Sequence, residues 1–148
     1  MEKPRILVLS HGSLCTGMLE SAKMIGAMSD NIIAIPMGPL VSADEYEKMV
    51  RTELEKCPEG SLVLVDFFGG TPFKTVAKIL PEYPVYAVAG VNLSMFLECW
   101  SNLNYAEKTG RELHDIAIEA GKFGVLSIND FVNDMAKNNE DDEDDDLS

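Results

Sequence analysis

Two apolar runs end on groups that could handle a phosphoryl group. Ile6-Leu7-Val8-Leu9 leads through Ser10 to His11 and Gly12. Leu62-Val63-Leu64-Val65 leads to Asp66 and then Phe67-Phe68-Gly69-Gly70-Thr71-Pro72-Phe73. In open α/β sheets ligands bind beyond the carboxyl ends of the strands, which is where both polar groups fall. A carboxylate that accepts Nδ1–H fixes the imidazole tautomer and leaves Nε2 as the nucleophile. Gly12 removes a side chain beside the ring and keeps it approachable. The Gly70-Thr71-Pro72-Phe73 stretch enters a helix, whose first amides form an anion site. Imidazole attack on phosphorus, a carboxylate steadying the cationic ring, and amides with the Thr71 hydroxyl on the phosphoryl oxygens describe reversible capture. Each piece has a plainer reading when taken alone, since a histidine beside a strand is more often structural and two glycines make a tight turn. Their combination points to a site.

No cofactor is expected at such a site. Transfer from another phosphohistidine is nearly balanced in energy and requires no Mg²⁺. The chain also lacks GxxxxGK[ST] and any GxGxxG after a strand, the signatures of nucleotide binding, and no metal site is read from it.

The elements that must position these groups alternate along the chain. Residues 5–10, 31–36, 61–66 and 84–89 read as strands, and Gly124 to Ile128 as a short fifth one. Helices are predicted over 14–28, from a Ser42/Glu45 capping box to about Cys57, and from Thr71 as cap with Pro72 at the first helical position. Two more follow, over Ser94 to about Trp100 and from a Thr109/Glu112 capping box to about Lys122. The fold class expected is α/β: a doubly wound open sheet, mostly parallel, with helices on both faces. Strands buried on both sides carry the continuous apolar runs seen here. His114, the one other histidine, falls in a predicted helix and reads as a packing or solvated residue.

Composition sets the outer bounds. The 148 residues carry a net charge of −13, with seven of the 25 acidic residues in Glu140–Asp146; the other 18, against 12 basic residues, leave −6. An acidic body argues against binding nucleic acid or anionic membranes through bulk charge. No apolar stretch approaches the ~20 residues of a membrane span, and Met1–Arg5 lacks the features of a signal peptide. Cys15, Cys57 and Cys99 are widely spaced and read as core residues in a reducing compartment. A cytoplasmic protein without direct membrane insertion is expected. The self-repelling acidic stretch from Asn138 is expected to be disordered.

Three motifs resemble one family. Ser10-His11-Gly12, Asp66-Phe67-Phe68-Gly69-Gly70-Thr71-Pro72-Phe73 and Ala89-Gly90-Val91-Asn92-Leu93-Ser94-Met95 look like the IIA component of the mannose family of the bacterial sugar phosphotransferase system. The resemblance covers roughly residues 5–128. It implies a IIA-mannose-type domain of flavodoxin-like topology over residues 1–130, followed by an acidic tail over 131–148. It implies a homodimer formed partly by exchange of C-terminal strand residues. It also implies that His11 takes phosphate on Nε2 from the phosphorylated histidine carrier protein and passes it to a IIB component. By motif, Asp66 orients His11, Gly70, Thr71 and Phe73 lie at the phosphoryl group, and Gly12 and Asn92 support the loops. Fused relatives continue into a IIB domain, whereas this sequence turns acidic, so a separate IIB polypeptide is expected.

Other readings share some of these residues. The phosphocarrier subunit of dihydroxyacetone kinase has the same fold and histidine with a different downstream partner. A response-regulator receiver would use Asp66 as its own phosphoacceptor, although Ser10-His11 stands where its acidic pair would be. A non-catalytic module could hold a ligand phosphate on Gly69-Gly70-Thr71, with His11 as a pocket wall.

Overall fold

The computed structural model describes residues 2–146, with side chains as far as Asp141. Four strands, β1 (Ile6–His11), β2 (Ile32–Met37), β3 (Leu62–Val65) and β4 (Tyr86–Ala89), form one sheet in the order β2-β1-β3-β4. Every neighbouring pair is parallel. These are the first four positions of the flavodoxin-like order. The central strands β1 and β3 are apolar on both faces, and Ile6–Leu9 and Leu62–Leu64 are fully buried. Each such side chain contributes on the order of 1.5–3 kcal/mol.

Alternation along the strands sorts the core into two layers. Ile6, Val8, Leu62 and Leu64 pack under α1 (Leu14–Met24), α4 (Leu93–Tyr105) and α5 (Gly110–Phe123), through Cys15, Ala22, Phe96, Cys99, Leu103, Leu113 and Ala117. Leu7, Leu9, Val63 and Val65 pack under α2 (Ala43–Leu54) and α3 (Thr71–Ile79), through Tyr46, Val50, Leu54, Val76 and Ile79. Tyr46 is fully buried and its hydroxyl donates to the Ile35 carbonyl at 2.6 Å, pinning α2 to β2. The chain therefore leaves β1 for one face and β3 for the other. A topological switch point lies between them.

Several boundaries differ from the expected ones. α1 stops at Met24, because the amides of Gly26 and Ala27 turn back to the carbonyls of Lys23 and Ala22. α4 runs on to Tyr105 on the strength of its buried Phe96, Cys99, Trp100 and Leu103. Ser42 caps α2 as expected, accepting the Glu45 amide at 3.1 Å. Thr109 precedes α5 without any side-chain cap bond, and Glu112 instead pairs with Lys108 at 2.7 Å. The expected strand Gly124–Ile128 is not formed: residues 124–127 are turn and coil with no strand partner.

The acidic end continues a helix as far as it is described. α6 (Ile128–Asp146) carries no glycine or proline to interrupt it, and Ile128, Phe131, Val132 and Met135 recur at helical spacing. Every described side chain from 122 to 141 is exposed. Leu147 and Ser148 lie outside the described residues. No described helix is long and apolar enough to cross a membrane, and the three cysteines are free and buried.

Candidate functional site

Parallel pairing of β1 with β3 brings Leu9 opposite Val65, so His11 and Asp66 emerge side by side at the carboxyl edge of the sheet. His11 shares the strand face of Leu7 and Leu9, the face that carries α3. Asp66 Oδ2 accepts two bonds from that one residue, its backbone amide at 2.9 Å and its ring Nδ1 at 2.7 Å. Oδ1 accepts the Phe67 amide at 2.9 Å. An ionised carboxylate can only accept, so the proton between the two side chains sits on Nδ1, and in the neutral ring Nε2 carries the lone pair. The Asp66 side chain is only 6% exposed, whereas that of His11 is 45% exposed. Burial opposes the charged carboxyl, but the His11 amide, the His11 ring and the Phe67 amide outweigh it. They hold the Asp66 pKa below the usual carboxylate range.

Helix α3 comes up against the ring. A Cβ on Gly70 would lie 2.4 Å from His11 Cε1 and 3.0 Å from the Phe67 ring, so only glycine admits the imidazole there. Gly70, not Thr71, is the N-cap: it is extended (φ −78°, ψ 174°) and its carbonyl accepts the Lys74 amide at 2.9 Å. Thr71 and Pro72 are the first two helical residues. No side chain caps this helix. Among the described residues, no hydrogen bond engages the amides of Gly70, Thr71 or Phe73. A helix N-terminus carries roughly half a positive charge, so α3 presents uncapped donors and a positive dipole end beside the half-exposed His11 ring.

Of the other expected residues, Gly12 adopts φ +55°, a conformation glycine takes without strain, and its amide donates to the Met37 carbonyl at 2.8 Å. Asn92 supports a loop at one remove. Its side chain caps α4 by accepting the Met95 amide at 2.8 Å and donates to the Gly121 carbonyl at 3.0 Å, with no bond to His11 or Asp66. The preceding amides of Gly90 and Val91 both reach the Val65 carbonyl, just before Asp66. Phe73 places its ring edge-on to Phe68, with centroids 5.0 Å apart. His114 lies at the opposite pole, against Tyr86 at the start of β4.

Sequence reasoning missed Phe67 and Ser10. The Phe67 ring leans on His11 with centroids 5.2 Å apart, and nothing in Phe67-Phe68 indicates which ring turns inward. Ser10 was legible, as a hydroxyl on the inward alternation of Ile6 and Val8.

A parallel doubly wound domain with an exposed, carboxylate-braced histidine at its switch point defines the class of protein. The chain belongs to the EIIA-man family, described as PTS system fructose IIA component, which matches residues 5–117. It is thus a mannose-family IIA component of the phosphotransferase system. The mannose-specific EIIAB component of Escherichia coli K12 is 29% identical over 126 residues, 83% of this chain. The chain spans 39% of that relative's length. The fructose-specific EIIA component of Bacillus subtilis is 32% identical over 99 residues, 65% of this chain and 68% of its own. The mannose/sorbose-specific IIA subunit of Enterococcus faecalis superposes with a TM-score of 0.77 at 25% identity, covering 86% of this chain and 96% of that one.

Proposed function

We propose that this protein is a cytoplasmic phosphoryl carrier in which His11 accepts phosphate from the phosphorylated histidine carrier protein and gives it to a IIB component. The observation that carries this reading is the double engagement of Asp66 Oδ2 by the His11 amide and ring. The Nε2 lone pair attacks the donor's phosphorus, the donor's P–N bond breaks, and the leaving imidazole keeps that electron pair. His11 then bears phosphate on Nε2 and a proton on Nδ1. Its ring is cationic, and the Asp66 carboxylate offsets that charge. The uncapped amides at the start of α3 and the Thr71 hydroxyl take up the phosphoryl oxygens. The second transfer, to IIB, reverses these movements.

The engagement of both Asp66 oxygens weighs against the receiver reading, in which this carboxylate would be the nucleophile. Exposure of the His11 ring weighs against its being a pocket wall. One open groove of about 1010 Å³ lies at the far pole, by Pro4, Gly60, Tyr86 and Arg111.

The test is incubation with phosphoenolpyruvate, enzyme I and the histidine carrier protein. An acid-labile, base-stable adduct on His11, absent from a folded His11→Ala variant, is expected. A stable adduct elsewhere, or wild-type labelling of the variant, overturns the assignment. The working unit is a homodimer. The open outer edge of β4, together with the exposed Phe123, Val125 and Leu126, supports exchange of the 124–128 segment onto a second copy. Sedimentation that finds only monomers at micromolar concentration removes that part of the proposal.

A further inference from the structure

We infer that Ser10 is a positioning residue for phosphoryl transfer at His11, acting through the turn that carries the imidazole. The inference rests on the phosphoryl-carrier reading above and adds a residue to it.

Ser10 is fully buried, on the strand face of Ile6 and Val8, where the rest of the run is apolar. A buried hydroxyl without partners is costly, and this one has two. It donates to the Gly12 carbonyl at 3.0 Å and accepts the Cys15 amide at 2.9 Å. Cys15 is the second residue of α1, whose amide is among those left without an intrahelical acceptor. The residue in the usual cap position, Ser13, makes no side-chain cap bond. Ser10 therefore performs the capping from the strand, five residues before the amide it holds.

Both bonds close over His11-Gly12-Ser13. The peptide groups on either side of the Gly12 Cα are then both held, its amide donating to Met37 and its carbonyl accepting from Ser10. This matters because one Asp66 oxygen takes both the His11 amide and the His11 ring. A single acceptor can serve both only while the His11 backbone keeps its place. Release of the Gly12 carbonyl loosens that backbone, lengthens the ring–carboxylate bond and lets the neutral imidazole populate its other tautomer, whose Nε2 is protonated and cannot attack.

The experiment compares Ser10→Ala, Ser10→Thr and Ser10→Val; threonine and valine differ by a hydroxyl against a methyl at nearly equal size. Two readouts are taken. One is the rate of His11 labelling by the phosphorylated histidine carrier protein. The other is the ¹⁵N spectrum of the His11 ring in its neutral state, in a His114→Gln background that leaves one histidine. Ser10→Ala and Ser10→Val are expected to label about tenfold to a hundredfold more slowly, the scale on which misplacement of a reacting group lowers rates. Their spectra should show mixed tautomers. Ser10→Thr should keep both the rate and the Nδ1–H tautomer. If Ser10→Ala does not fold, Ser10→Cys, with a weakly bonding thiol, is read in its place. Wild-type rate and tautomer in folded hydroxyl-free variants overturn the inference alone. A wild-type chain that takes no label overturns the carrier reading and this inference together.

Discussion

Two helices begin at the switch point, and their N-termini differ at the second helical position. In α1 the second amide, that of Cys15, is held from behind by the buried Ser10 hydroxyl, while those of Leu14 and Thr16 have no partner among the described residues. The start of α3 is left uncapped, with Gly70 in the cap position and the amides of Thr71 and Phe73 free of partners among the described residues. Either helix end could in principle attract an anion. Only α3 meets the His11 ring, because His11 projects to the same side of the sheet as Leu7 and Leu9. The difference teaches how one phosphoryl site is selected: strand alternation assigns a serine to one helix end and a histidine to the other.

The largest effect expected from breaking this arrangement is at Gly70. A methyl group there would fall 2.4 Å from His11 Cε1, so Gly70→Ala must expel the ring from the start of α3. Labelling of His11 should fall by more than about a hundredfold, as for a reacting group moved by an ångström or more. Stability should fall by no more than ~1 kcal/mol, the scale of an altered cap. Single-turnover labelling beside a thermal melt checks both, and an unchanged rate would mean that the ring does not work from this position.

Asp66→Asn comes next and sharpens the electrostatic half. It removes a charge-assisted pair that is worth about 1.5–3 kcal/mol, or about tenfold to a hundredfold in rate if expressed in the transition state. The sign of the pH dependence follows from the lowered carboxyl pKa. Stability contributed by the Asp66 carboxylate is complete above the unfolded value of about 4. It is lost as pH falls through the lower folded value. Urea titrations of both proteins should therefore diverge at neutral pH and converge in acid; a gap that does not depend on pH would show that Asp66 acts by shape alone.

How much of this was legible in the sequence depended on whether the signal was local. His11, Asp66 and Gly70 follow from two apolar runs and their endings, and the alternation of runs and helices was enough for a parallel sheet. The Gly124–Ile128 strand is absent from the single chain because a short apolar run says nothing about who supplies its hydrogen-bond partner, and no described strand of the same chain does. From Asn138 the two local signals pull apart: like charge argues against order, while the absence of helix breakers after Gly124 permits the helix α6. Asn92 reads from the motif as loop support; that its amide group joins α4 to α5 is a tertiary contact across 29 residues that spacing cannot disclose.

The smallest effect is the most discriminating for the comparison of helix ends. By sequence, Ser13 and Ser42 are equivalent, each a serine just before a helix. Ser42 accepts the Glu45 amide, so Ser42→Ala should cost about 1 kcal/mol. Ser13 caps nothing, so Ser13→Ala should stay within about 0.5 kcal/mol of wild type, as surface substitutions do. Paired denaturation curves decide the matter. Equal losses would return the capping of α1 to Ser13, and the contrast between a helix end held by the strand and one with no side-chain cap beside the histidine would no longer hold.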